Sequence, residues 1–203
     1  MNLNANNISF AYKKNKPILK DINISIPDNK VIGLMGDSGT GKSTLCKIMS
    51  GYIHNYSGSV TLNDEPIKTK DFYPVQLIFQ HPEKTMNPKW KMSKVLEESW
   101  NPPQELKDIF GLKDAWMRRW PSELSGGELQ RFSILRAINP KTKFIIADEI
   151  STMLDAVTQV QIWDSLLDYC KKNQIGILAV SHDNDLLEVI CDDIIFFDDI
   201  NNI

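Results

Sequence analysis

Long hydrophobic runs are missing from this 203-residue sequence. The apolar stretch at residues 194–197 is typical, far below the roughly 18 consecutive apolar residues that a membrane span needs. The Asn-rich start, residues 1–7, lacks the basic and apolar regions of a secretory leader. Cysteine is scarce. Cys46, Cys170 and Cys191 are odd in number, far apart and form no Cys-x-x-Cys pair, which excludes a disulfide scaffold or zinc knuckle and fits a reducing cytosol. An excess of positive charge is also absent, with 23 Lys+Arg against 26 Asp+Glu, so no polyanion-binding surface is advertised and no nucleic-acid partner is expected. There is no internal repeat and no low-complexity tract. What is present is 42% hydrophobic residues, enough for one domain with one substantial core and a small insertion.

Short β-like runs alternate with helical stretches, the pattern of an α/β domain with helices packed on a largely parallel sheet. The opening differs: residues 3–12, 22–26 and 59–62 read as strands joined by turns without helices, an N-terminal antiparallel β subdomain. Residues 31–35 read as a buried strand feeding a helix, and residues 75–79, 144–147, 176–180 and 193–197 as further strands whose nearly continuous apolar character suits parallel positions. From 87 to 123 the pattern turns helical, broken at Asn101-Pro102-Pro103 and Gly111. This stretch holds four of the five tryptophans, at 90, 100, 116 and 120. It predicts an inserted helical subdomain, about residues 87–140, with the tryptophans as its core. Over residues 156–172, Val160, Trp163, Leu167 and Cys170 recur with helical period and are expected to face the sheet.

The chemistry concentrates in three segments. Gly36-Asp37-Ser38-Gly39-Thr40-Gly41-Lys42-Ser43-Thr44 sits between a predicted strand and a predicted helix, the context that the phosphate-binding pattern G-x-x-x-x-G-K-[ST] requires. Glycines let backbone N–H groups curl around a phosphate, and the helix N-terminus adds a positive dipole end. In such a loop Lys42 reaches the β- and γ-phosphates and Ser43 offers its hydroxyl to Mg2+. A glycine turn that merely caps a helix is the plainer reading, and the strand-loop-helix context argues against it. Residues 144–149 form an apolar strand ending in Asp148 and Glu149. Asp148 suits Mg2+ through water, and Glu149 suits the water that attacks a γ-phosphate. Residues 124–131 place Ser125 and Glu128 in a capping box, and Gly126 and Gly127 expose the N–H groups of a helix start, a second anion site distant in sequence from the first.

Together these segments resemble the ATP-binding cassette (ABC) ATPases over nearly the whole chain, from about residue 3 to 197. Residues 36–44 look like the Walker A motif, 124–130 like the ABC signature and 144–149 like the Walker B strand with its catalytic glutamate. The resemblance implies a P-loop NTPase core and further roles. Gln80 matches the Q-loop glutamine that senses the γ-phosphate and Mg2+, His182 the switch histidine, Tyr12 the ring that stacks on adenine, and Leu154-Asp155 the end of the D-loop. It also implies a head-to-tail pair of cassettes, homo- or heteromeric, in which Ser125, Gly126 and Gly127 of one complete the site built by Gly39, Lys42 and Ser43 of the other. His54 and His81 receive no role.

Within the family, residues 78–88, 118–121 and 153–162 resemble ATPases of importers for oligopeptides, dipeptides and nickel. That subgroup implies separate membrane-spanning permeases, a second cassette ATPase, an extracytoplasmic substrate-binding protein and a peripheral place on the cytoplasmic face of the membrane. An ABC exporter ATPase shares the same cassette chemistry, and a soluble ABC ATPase acting on ribosomes or DNA is the rival class. The acidic balance and single cassette argue against the latter. Two departures stand out. Ile150 and Ser151 occupy positions where the family more often has Pro and Thr, leaving the turn after Glu149 less rigid. The sequence stops at Ile203, where peptide and nickel ATPases commonly continue, so dimer contacts or regulation supplied by such an extension are not implied.

Overall fold

The computed structural model describes residues 1–67 and 72–203. Strands β1 (Asn2–Phe10), β2 (Leu19–Pro27), β4 (Ser57–Leu62) and β5 (Glu65–Pro66) form an antiparallel sheet in the order β2-β1-β4-β5. Strands β3 (Val31–Met35), β6 (Val75–Ile78), β7 (Phe144–Asp148), β8 (Gly176–Ser181) and β9 (Asp193–Phe196) form a second, wholly parallel sheet in the order β6-β7-β8-β3-β9. Helix α1 (Lys42–Met49) follows β3. Helices α2 (Met92–Glu97), α3 (Gln104–Ile109) and α4 (Gly126–Ala137) lie between β6 and β7, with α5 (Ala156–Asn173), α6 (Asn184–Ile190) and the short α7 (Phe197–Ile200) after it.

Two apolar layers cover the parallel sheet, and its period-two side-chain alternation divides residues between them. In β7, Phe144 and Ile146 join Leu34, Leu45 and Leu178 under the antiparallel sheet. Ile145 and Ala147 join α2 to α5 on the other face, with Phe110, Phe132 and Trp116. Every residue of β7 and β8 is buried. Because all five strands of this sheet run the same way, their carboxyl ends meet along one edge, where ligands bind in open α/β sheets. The segment 82–137 is helical throughout its regular elements, and its apolar core is continuous with that second layer.

The structure corrects three expectations. Strand β1 ends at Phe10, so Tyr12 is not a strand residue. Register shifts between Ala5 and Ile8 and between Ile8 and Phe10 interrupt the pairing of β1 with β2, and the Lys13–Lys16 bridge closes a tight loop after the strand. In α5 the buried residues are Ile162, Trp163, Leu166 and Cys170, and Val160 is 58% exposed. This helix carries apolar residues on more than one face, and the contact with α4 and the sheet selects the stripe. Among the tryptophans, Trp116 is buried, Trp90 and Trp100 are half-buried, and Trp120 is 42% exposed beneath the Lys91 ammonium.

Candidate functional site

The carboxyl end of β3 runs into the glycine loop, and α1 starts at Lys42 with Gly41 as its N-cap. Gly41 has φ +119°, and a Cβ there would come within 3.0 Å of the Ile18 carbonyl oxygen and the Leu19 side chain. Gly39 has φ +85°. Both need the left-handed freedom that side-chain residues lack. Lys42 is buried, and its ammonium lies across the loop, donating to the carbonyl oxygens of Gly36 at 2.5 Å and Asp37 at 2.6 Å. Thr40 Oγ1 donates to the Asp37 carbonyl at 2.8 Å and tightens the same turn.

Asp148, the last residue of β7, is buried and accepts a hydrogen bond from Ser43 Oγ at 3.1 Å. Loss of hydration pushes its carboxyl above the ordinary carboxylate range, the Ser43 hydrogen bond opposes this, and the neighbouring Glu149 adds to it. An acid with a raised folded-state value holds its proton more tightly folded than unfolded. Stability is therefore lost as pH rises from the ordinary value of about 3.9 through the raised one, and the loss persists above it. Asp148→Asn is expected to raise the melting temperature at neutral pH. Calorimetry should show the gain over the parent shrinking as pH is lowered through that window.

Glu149 stands just past the end of β7 with φ +50°, a conformation that costs about 1–2 kcal/mol for a residue with a Cβ and persists where surrounding contacts enforce it. Its carboxylate accepts from Gln80 Nε2 at 2.9 Å and lies 3.5 Å from His182 Nδ1. The Glu149 side chain is 14% exposed and that of His182 is 50% exposed. Tyr12 leaves the sheet and swings over the loop, its hydroxyl 3.3 Å from Thr44 Oγ1 and its ring edge-on to Phe10 at 4.8 Å. Tyr12, Ser38, Gly39, Lys42, Gln80 and Glu149 all line one cavity of about 380 Å³. Most of the ring of Tyr12 faces solvent, which leaves its face free to stack against a planar group.

The helix start expected to form a second anion site stays apart from this cavity. Ser125 caps α4 as the sequence predicts: Ser125 N–H donates to Glu128 Oε2 at 2.7 Å, and Glu128 N–H donates to Ser125 Oγ at 3.3 Å. Ser125 and Gly126 are exposed, and a Cβ on Gly126 would meet nothing within 4 Å. Among the described residues, none of Ser125, Gly126, Gly127 and Glu128 lines the cavity around Lys42. Two contributors escape the motif reading. Ile18 forms the floor against Gly41 through a contact with no local signal, and Thr152 donates to the Glu149 carbonyl at 2.7 Å and receives Gln80 Nε2 at 3.4 Å. A hydroxyl three residues after Glu149 was the available clue to Thr152.

A glycine cradle closed by a buried lysine, with acids at the end of a parallel strand one removed from it in the sheet, defines a P-loop nucleotide-binding domain. Residues 19–152 match the profile of the ABC transporter family. The chain is 32% identical over 205 residues to the nickel import system ATP-binding protein NikE of Staphylococcus aureus, covering 95% of this chain and 84% of that protein. Its fold is similar to the dimeric post-hydrolysis state of the ATP-binding cassette MJ0796 bound to ADP and Pi, with TM-score 0.79 and 23% identity over 96% of this chain and 93% of that one. It is also similar to CbiO1 from Clostridium perfringens, part of the ABC transporter complex CbiONQ, with TM-score 0.78 and 22% identity over 96% and 83%. The chain belongs to the ABC transporter family. It is an ABC ATPase, and ATP is its nucleotide. Among the described residues no helix is long and apolar enough to cross a membrane.

Proposed function

We propose that the chain is the ATP-hydrolysing subunit of an import system for nickel, metal chelates or peptides. The observation that carries this reading is the 32% identity, over 95% of the chain, to a nickel import ATP-binding protein. In this reading Tyr12 stacks on adenine. The backbone N–H groups of residues 36–44 and the Lys42 ammonium hold the phosphates. Glu149 accepts the proton of the attacking water, Gln80 orients that carboxylate, and His182 donates toward the γ-phosphate.

The donor set also fits Mg2+: a hydroxyl, a desolvated carboxylate and an amide oxygen are hard ligands. Ser43, Asp148 and Gln80 would hold it, and it would neutralise charge developing on the phosphates. Asp148→Asn, expected to raise thermal stability, is expected at the same time to cut Mg2+-dependent hydrolysis by about a hundredfold or more, several kcal/mol of transition-state stabilisation. Steady-state phosphate release checks this.

The open helix start at Ser125 and Gly126 supports a head-to-tail pair of cassettes. Each chain would supply the exposed N–H groups of α4 to the γ-phosphate held by the other's Lys42 and Ser43. The helical segment around residues 87–140 would move as a subdomain with the Q-loop, and the pair would work at the cytoplasmic face of a membrane beneath separate permeases. A substrate-binding protein outside the membrane belongs to the same proposal. Ser125→Arg is expected to leave ATP binding by the single chain intact and to reduce hydrolysis at least tenfold, because the bulky side chain fills the helix start meant for the partner's phosphate. Normal turnover by that variant would rule out the head-to-tail arrangement. The cargo is tested by comparing radiolabelled nickel and dipeptide uptake in cells with and without the intact gene. Loss of nickel uptake alone selects the metal, loss of dipeptide uptake alone selects the peptide, and loss of neither overturns nickel and dipeptides as the cargo.

A further inference from the structure

The geometry points to Trp163 and Ser151 as positioning residues for Glu149: the buried hydrogen bond between them anchors the turn that aims its carboxylate. This inference rests on the reading of Glu149 as the residue that activates water. β7 leaves the core at Asp148, and the next residue takes φ +50°. Such a conformation survives where contacts on both sides hold it. On the side of Asp148 the hold is plain: the Glu149 N–H donates to the Val180 carbonyl of β8 at 3.0 Å. On the other side no proline ring stiffens the turn, because Ile150 follows Glu149.

Three contacts act in place of that ring. Ile150 is 3% exposed and packed into the core with Trp163 and Ile162. Thr152 Oγ1 donates to the Glu149 carbonyl, a bond internal to the turn. The Ser151 hydroxyl, 5% exposed, accepts the indole N–H of Trp163 at 3.1 Å. This third contact ties the turn by a directional bond to α5, a helix of 18 residues packed on the sheet. Both partners are buried, so neither exchanges the bond for water, and the turn is held in one place. Gln80 Nε2 meets Thr152 Oγ1 at the same turn. The tether therefore acts on the position of the Glu149 carboxylate relative to Gln80 and His182. It does not touch the loop around Lys42, which holds the nucleotide.

The consequence is a split between turnover and binding. A misplacement of about 1 Å can cost about a hundredfold in rate. A loosened turn is expected to cost about tenfold. The variants are Trp163→Phe, which keeps an aromatic, though smaller, ring and removes the N–H, Ser151→Ala, their combination, and Ser151→Thr, which keeps the hydroxyl. Each is assayed for ATPase rate per bound ATP, so that a smaller folded fraction does not count, with Glu149→Gln measured alongside. The expected result is kcat lowered about tenfold in both single variants and KM for ATP within about twofold of the parent. The double variant should be no slower than the singles, because one bond cannot be lost twice. Ser151→Thr should retain most of kcat. Unchanged kcat in both singles while Glu149→Gln is inactive would overturn the tether and leave the reading of Glu149 standing. A rise in KM without a fall in kcat would also overturn it, by assigning the bond to nucleotide binding. Normal turnover by Glu149→Gln would remove the reading itself, and the positioning role with it.

Discussion

Glu149→Gln is expected to slow ATP hydrolysis by about 100- to 10,000-fold, the range that a positioned general base contributes, with ATP binding preserved. Glutamine has the shape of glutamate, so the backbone at φ +50° and the amide contact with Gln80 are both retained. What is lost is the negative charge that receives a proton from water. Nothing in the phosphate cradle changes, because the loop around Lys42 is held by its own carbonyl contacts. In the head-to-tail reading the ATP-bound pair then persists, since the γ-phosphate that bridges two cassettes is no longer cleaved. Single-turnover hydrolysis and size-exclusion chromatography with ATP check the two halves separately. Parent-like turnover would take Glu149 out of the chemistry. Turnover lost with no dimer would keep Glu149 and discard the bridge.

Lys42→Ala is expected to weaken ATP binding by at least about 10- to 150-fold, corresponding to about 1.5–3 kcal/mol for hydrogen bonds to a charged group. In the proposed reading the buried ammonium is the cation the loop presents to phosphates, and in the structure it ties the Gly36 and Asp37 carbonyls together. Alanine removes both functions, leaving loop carbonyls without their donor and α1 without the charge at its first residue. Equilibrium binding of a fluorescent ATP analogue measures the loss, and circular dichroism confirms that the sheet and helices remain. Parent-like affinity would overturn the assignment of residues 36–44 as the phosphate cradle.

Much of the site was legible because its chemistry is local. The loop at 36–44 needs left-handed glycines, a lysine and a hydroxyl at fixed offsets, and the capping box joins Ser125 to Glu128 within a single turn. The alternation of apolar strands with helices likewise follows from short-range hydrophobic period. Gln80 and His182 were different: alone each is a polar residue after a strand, and family resemblance supplied their roles. Their convergence on Glu149 from two different strand ends became visible through the sheet order β6-β7-β8.

Where several local solutions were equivalent, the sequence did not choose. Periodicity along α5 favoured a stripe containing Val160, yet packing buries Ile162 and Leu166, since a helix that is apolar on two faces turns whichever face its neighbours can cover. Tyr12 read as a strand residue, yet β1 ends at Phe10 and the Tyr12 hydroxyl reaches Thr44. The sequence by itself determined the glycine loop at 36–44, the alternating architecture and the capping box at Ser125, because each is written in residues a few positions apart. The tertiary structure alone decided the burial of Asp148, the left-handed turn at Glu149 and its tether through Ser151 to Trp163. Those properties arise from groups brought together across the sheet, and desolvation and directional hydrogen bonds depend on who the neighbours are in space.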